Sequence, residues 1–363
     1  MVGAFREVVR ARWSTGRRCP RDSTVEAVAR SGRRKGVPVE HALNGTGALP
    51  RLTVAVLTFR RNAYLAELLP ALIEQARSCR GVQRARVLVV DNDPDAGAAG
   101  TVEAARPAQA PDTLLGVHEP EPGIVAGRNR ALEECAEEDL LVFIDDDEIP
   151  GDGWLDALVE AWGAGGCAAV TGPTPPSFET DPDPWVSASG AFDSWQAQDG
   201  AVVWSADTGN LLLDLAVVRR LRLRFDPRYG LTGGEDSLFT RQLTRAGGVI
   251  RFACGAVVTK RVPPGRANRR WVLERAYRSG SSWARVRIDT ACGRRLPLRL
   301  AYAAKGAAKA GVDGLRAVVA TARGDVGARA LHEVSSRGGM GMVVGAFDVR
   351  VREYGRAGSR SRR

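Results

Sequence analysis

The sequence predicts an α/β protein: a mostly parallel sheet with helices on both faces, followed by a basic helical region. Three observations carry this. Short apolar, β-branched runs alternate with segments whose apolar residues recur at helical spacing. The first three of those runs each end in a polar cluster, as strands do where an open α/β sheet meets its ligand. Beyond Arg269, apolar residues mix with Arg and Lys over a long stretch that looks largely helical.

Taken in order, LTVAVLTF (52–59) is a strand buried on both faces. Leu65, Leu68, Leu69, Leu72 and Ile73 then mark a helix over 63–76. A second strand covers 85–93, a second helix 123–136 and a third strand 140–145. Asp152 is the expected N-cap of a helix over 151–162, because Pro150 ends the preceding extended piece. A fourth strand is expected at 167–173. The stretch PTPPSFETDPDPW after it is too rich in proline for a central strand and reads as an active-site loop. Helical character returns from 269 to about 335. The expected domains are a loosely ordered basic extension (1–50), the α/β domain (51–262), the basic helical region (263–345) and a basic tail (346–363).

The 363 residues carry a net charge of +10, and that charge is segregated. Residues 1–50 sum to +6, 51–259 to −13, 260–300 to +10 and 301–363 to +7. An acidic body between basic ends points to partners of opposite sign on different parts of the molecule. No zinc-finger or RRM-type motif accompanies the basic residues, so nucleic acid is not expected as a partner. An anionic membrane surface or a lipid phosphate suits the basic helical region. The six cysteines are scattered without a CxxC pair, which disfavours a zinc site or a disulfide framework and fits a cytoplasmic protein. No secretory signal or membrane-spanning segment is read.

LLVFIDDDEIP (140–150) poses the chemical question. Asp145, Asp146, Asp147 and Glu148 stand side by side at the end of a buried strand, and four neighbouring carboxylates repel one another unless a cation joins them. A calcium loop fails, since Ile149 and Pro150 stand where a ligand and a glycine are needed. Magnesium or manganese held by one or two carboxylates and a substrate phosphate fits better. Dinucleotide binding is disfavoured, because the first turn reads TFRRN and lacks GxGxxG.

Six segments in register resemble the family 2 glycosyltransferases of the GT-A fold: VAVLTFRRNAYLAELLPAL, VLVVDND, HEPEPGIVAGRNRAL, LLVFIDDDEIP, TGNLLL and GLTGGEDSLFTRQL. They look closest to the branch that includes the succinoglycan-type glucosyltransferases of bacterial exopolysaccharide assembly. The resemblance spans residues 52–290 or so, and it implies roles. Thr58, Phe59 and Arg60 line a base pocket, and Asp91 accepts from the base or ribose. Arg128 and Asn129 lie on a helix near the nucleotide; a solvated helix face is the alternative reading of both. Asp147 is the metal ligand with Asp145, which also lies near the ribose, and Asp146 orients donor hydroxyls. Asp236 is the base of an inverting transfer, supported by Glu235, with an N-cap role for Asp236 as the alternative. Gly234 allows close backbone approach. Asn210 touches a sugar or else serves as a turn residue.

The resemblance thus implies a metal-dependent (Mg2+ or Mn2+), inverting enzyme. It would move a sugar from a nucleotide donor, with UDP as the expected nucleotide, to a glycan or polyprenyl-diphosphate-linked acceptor, in the cytoplasm or peripherally at the inner face of the plasma membrane. A sugar-phosphate nucleotidyltransferase and a catalytically silent sugar-nucleotide-binding protein are the alternatives. Two departures stand out. Relatives often carry a histidine or acid shortly before a Val-Pro, where this chain has Lys260 and Arg261; a protein metal ligand is not expected from there, and a cation could hold a phosphate instead. Ala267 replaces the Gln of the QxxRW motif of processive synthases, so a single addition per encounter is expected.

Overall fold

The computed structural model describes residues 48–230, 232–291 and 293–349. The readings for residues 1–47 and 350–363 lie outside the described residues. An eight-stranded sheet forms the body, and a three-stranded sheet stands beside it.

The chain enters through β1 (Arg51–Thr58), α1 (Asn62–Ser78), β2 (Arg84–Asp91), α2 (Ala99–Ala105), β3 (Leu114–His118), α3 (Ile124–Glu134) and β4 (Leu140–Asp145). These four strands run parallel. Thr58 pairs with Asp91 and Leu57 with Asp145, so the carboxyl ends of β1, β2 and β4 lie level at one edge. The edge strand β3 lies in a stretch where the sequence offered no reading. Next come β5 (Glu148–Pro150), α4 (Trp154–Gly163), β6 (Ala169–Thr171), β7 (Pro176–Phe178) and α5 (Pro184–Ala188). Then follow β8 (Val202–Val203), β9 (Asn210–Asp214), α6 (Leu215–Arg220), α7 (Glu235–Arg245), β10 (Ile250–Phe252) and β11 (Val258–Val262). The large sheet runs β3-β2-β1-β4-β9-β6-β10-β8 and the small one β5-β11-β7. β9 runs antiparallel between β4 and β6, which makes the large sheet mixed.

Two apolar layers sandwich the sheet. Leu65, Leu69 and Leu72 of α1 and Trp154, Leu155 and Leu158 of α4 cover one face, and Val125 and Ala131 of α3 with Phe239 and Leu243 of α7 cover the other. Full burial of each such leucine is worth roughly 1.5–3 kcal/mol, so the strand ends are set on a rigid base.

Two local expectations differ from the structure. Asp152 does not cap α4: Gly153 does, in the left-handed region at φ 69° with no side-chain hydrogen bond. Glycine enters that region without steric cost, so the turn needs no capping side chain. Part of the proline-rich stretch pairs rather than loops, since β7 forms a parallel edge on β11, a position that tolerates Pro176.

The chain closes with α8 (Arg269–Asp289), α9 (Arg295–Ala322) and α10 (Val326–Ala346), extending the helices about three turns past the end expected near residue 335. Glycines set how closely α8 and α10 approach. A Cβ at Gly280 would collide with the Gly338 carbonyl, and one at Gly341 with that of Tyr277. Overpacking of this kind costs about 1–3 kcal/mol.

Candidate active site

The acidic run turns sharply at the end of β4, and its side chains converge on cations supplied by the chain. Oxygens of Asp145, Asp147 and Glu148 lie within 4.8 Å of one another. Lys260 Nζ donates to Asp145 Oδ2 at 3.0 Å and to Glu148 Oε1 at 2.9 Å, and stands 3.7 Å from Asp147 Oδ1. Arg266 donates to Asp147 Oδ2 at 2.7 Å. Arg61 reaches Asp146 at 2.7 Å and Asp147 at 3.2 Å, and Thr58 Oγ1 donates to the other Asp146 oxygen at 3.0 Å. Glu148 also accepts the Asp145 backbone N–H at 3.0 Å. Gly209 makes room for it, as a Cβ there would lie 2.7 Å from Oε2.

Burial pushes the Glu148 carboxyl up to about 8, against the pull of Lys260. Burial also raises Asp146, with Arg61 opposing. Asp145 meets the same desolvation, yet Lys260 and Arg128 hold it below the usual carboxylate range. Lys260 is desolvated in turn, but Glu148, Asp145 and Asp147 lift it well above its ordinary value, so it is a cation at neutral pH. The oxygens of these three acids are hard donors of the kind a magnesium or manganese ion takes. Asp145 and Asp147, the ligands expected from sequence, are two of them; Glu148 is the third.

The ends of β1 and β2 add the groups expected around a base. Thr58 is buried, whereas Phe59 is exposed with the Arg60 guanidinium 5.4 Å from its ring centroid. Arg60 adopts φ 55°, unusual without glycine, and donates to both oxygens of Asp93 at 3.1 and 3.2 Å. Such backbone values concentrate at functional sites. Asp91 has both oxygens engaged, by the backbone N–H groups of Asp93 at 2.9 Å and Ala98 at 2.7 Å. It therefore fixes the turn after β2, and a ligand would share its remaining lone pairs.

The catalytic candidates lie at the start of α7. Gly234 is the N-cap, at φ 89°, and Glu235 and Asp236 occupy the first turn, where the helix dipole favours negative charge. The N-cap reading of Asp236 thus gives way to a first-turn position, with its Oδ1 accepting the Ser237 N–H. Burial raises the Asp236 carboxyl well above its usual range, and the nearby charges of Asp207 and Glu235 add to the effect. Behind the loop, Ser282 of α8 donates to the Thr232 and Gly233 carbonyls. A Cβ at Gly234 would come within 2.8 Å of Ser282 Cβ, so only glycine fits.

Arg128 joins the two halves. It is 4% exposed and pairs with Glu235, its guanidinium 5.5 Å from the Phe225 ring centroid. Its charge also bears on both Asp145 and Asp236. The solvated-face alternative does not hold for this residue. Its neighbour Asn129 has a scaffold role: its amide bridges the backbone N–H and carbonyl of Phe225, at 3.0 and 2.9 Å. Asn210 is also spent inside the fold. It accepts from Trp154 Nε1 at 2.9 Å and donates to the Ala256 carbonyl at 2.7 Å, 2% exposed.

The sequence model described as glycosyl transferase family 2 matches residues 53–206. The succinoglycan biosynthesis protein ExoM of Rhizobium meliloti (strain 1021) is 32% identical over 257 residues, covering 69% of this chain and 80% of that protein. The chain belongs to the family 2 glycosyltransferases. Among solved structures, the mannosyltransferase PcManGT of Pyrobaculum calidifontis, in complex with GDP-Man and Mn2+, is 20% identical with a TM-score of 0.49, covering 80% of this chain and 87% of that one. Residues 1–349 of S. aureus TarS, in complex with UDP-GlcNAc, are 15% identical with a TM-score of 0.45, covering 79% and 91%.

For this glycosyltransferase, two contributors carried no motif, Arg266 on Asp147 and Asp207 beside Asp236, while Glu148 was read as part of the acidic run but not as one of its two metal ligands. Their only sequence signal is the excess of charge in each segment. The pairings join positions up to 119 residues apart.

Proposed function

We propose that this glycosyltransferase transfers a sugar, with inversion, from a UDP-linked donor to a glycan or polyprenyl-diphosphate-linked acceptor in cell-surface polysaccharide assembly. The observation that carries the reading is Arg128. One buried guanidinium binds the acid beside the base candidate and bears on the first acid of the DDD run, so donor end and base end form one electrostatic unit. The name of the relative ExoM, which concerns succinoglycan biosynthesis, supports the polysaccharide context.

In this reading Thr58, Phe59, Arg60 and Asp91 receive the base and ribose, and Asp145 and Asp146 orient the donor. Asp145 and Asp147 hold Mg2+ or Mn2+, which when bound supplies Lewis-acid stabilisation of the departing nucleoside diphosphate. Asp236 takes the proton from the acceptor hydroxyl as that oxygen attacks the anomeric carbon. A raised pKa makes it a better proton acceptor than an ordinary carboxylate. Glu235, held in place by Arg128, keeps its neighbour's surroundings fixed. A panel of nucleotide sugars, screened by thermal shift with and without Mn2+, tests donor class. UDP-sugars are expected to stabilise the protein in a metal-dependent way, and stabilisation by GDP-sugars alone would refute the donor assignment.

The same reading brings the acceptor in on a membrane. Among the described residues no helix is long and apolar enough to cross one. α9 instead exposes Leu296, Leu300, Leu315 and Val318 beside Arg295, Arg299 and Lys305, while its one acid, Asp313, is buried. An uncharged arc flanked by basic residues suits the surface of an anionic leaflet. Co-sedimentation with phosphatidylglycerol vesicles at low salt, but not with phosphatidylcholine vesicles, is the expected result. Equal recovery in both supernatants would remove the membrane from the reading.

A further inference from the structure

The position of Lys260 is fixed by backbone pairing. β11 runs antiparallel to β5 with Lys260 opposite Glu148, and the Arg261 N–H donates to the Asp147 carbonyl at 2.9 Å. The ammonium therefore projects at the acidic turn from a strand locked to it. Its three carboxylate neighbours, Asp145, Asp147 and Glu148, are the same three residues whose oxygens converge as a cation site. An ammonium is a compact point charge with three donors, matched here to three acids. With Arg61 and Arg266 it sets three positive charges against the four acids of the run.

We propose that Lys260 is a tethered cation that occupies the divalent-ion seat and must leave it before the metal can bind. The two cannot share these oxygens, because each carries positive charge and the carboxylates are already engaged by the ammonium. Divalent-ion binding to the free protein is therefore weak. It strengthens when a nucleoside diphosphate arrives, because the diphosphate contributes oxygens to the metal and offers the displaced ammonium a new anionic partner. Lys260 thus couples metal binding to donor binding. The inference rests on the metal part of the function proposed above.

The test is manganese binding by the full chain, read from the electron paramagnetic resonance signal of free Mn2+, with and without UDP. Without UDP, Lys260→Gln is expected to bind Mn2+ at least about tenfold more tightly than wild type, the scale on which a neighbouring charge shifts occupancy of an ionic site. Lys260→Arg, which keeps the charge, is expected to stay near wild type, and UDP is expected to narrow the gap between wild type and Lys260→Gln. A wild-type measurement makes the test independent of whether a variant folds. The Lys260 amine is expected to resist an amine-acylating reagent in the free protein and to become reactive when Mn2+ saturates the site, as read by peptide mass spectrometry. Measurable but equal affinities for wild type and Lys260→Gln, or an amine whose reactivity ignores bound Mn2+, would overturn the inference alone. Absence of Mn2+ binding by either protein, even with UDP present, would overturn it together with the metal part of the proposed function.

Discussion

Asp236→Asn is expected to lower kcat by roughly 10²–10⁴-fold, the range for loss of a positioned general base, while leaving donor affinity within about twofold. The amide matches the carboxylate in shape, so the first turn of α7 and the Arg128–Glu235 pair persist. What is lost is the proton acceptor. Burial, with Asp207 and Glu235 close by, holds the Asp236 carboxyl protonated to a higher pH than usual. Only the deprotonated form accepts a proton, so kcat/KM of the wild type should climb with pH across a window above the ordinary carboxylate range and then level off. The residual activity of Asp236→Asn should lack that limb. Single-turnover kinetics beside donor-binding isotherms would check this, and near-normal turnover by the variant would rule Asp236 out as the base.

Asp147→Asn is expected to remove the metal-dependent part of nucleotide-sugar binding and to cut kcat/KM by at least about 10²-fold, equivalent to some 3 kcal/mol of transition-state stabilisation. Asp147 is the most heavily engaged acid of the run. One oxygen accepts from Arg266 and Arg61, and the other faces Lys260. Neutralising it removes a proposed ion ligand and also unbalances three cations that were facing it. Thermal shift with UDP-sugar, with and without EDTA, separates the effects: wild type should lose its donor stabilisation on chelation, and the variant should have none to lose. A variant still stabilised by donor in a chelator-sensitive way would show that the ion is held elsewhere.

The parallel half of the sheet was legible because local pattern suffices there. Five apolar residues at helical spacing made α1 readable, and short apolar runs did the same for β1, β2 and β4. The ends of those strands, with Thr58, Asp91 and Asp145, followed directly. The second sheet was illegible for the opposite reason. β5 and β7 are three residues long and contain prolines, and they pair only because β11 arrives between them from more than 80 positions downstream. Arg128 was ambiguous because an arginine on a helix looks the same in sequence whether solvent or Glu235 faces it. Asn210 was ambiguous likewise: its partners, Trp154 and Ala256, come from two distant segments. Charge count alone marked the acidic run as needing cations, but it did not reveal that Lys260 and Arg266 would be among them.

The seat of Ser282 against Gly233 and Gly234 has a mechanical consequence. The loop leading into the first turn of α7, where Asp236 sits, is clamped from behind by a long helix, which is itself wedged against another through bare backbone. A loop gripped in this way has little room to swing toward a reacting hydroxyl. Under the proposed function, the acceptor then travels to a stationary Asp236, and selectivity becomes a matter of which alcohols can be delivered to that fixed point.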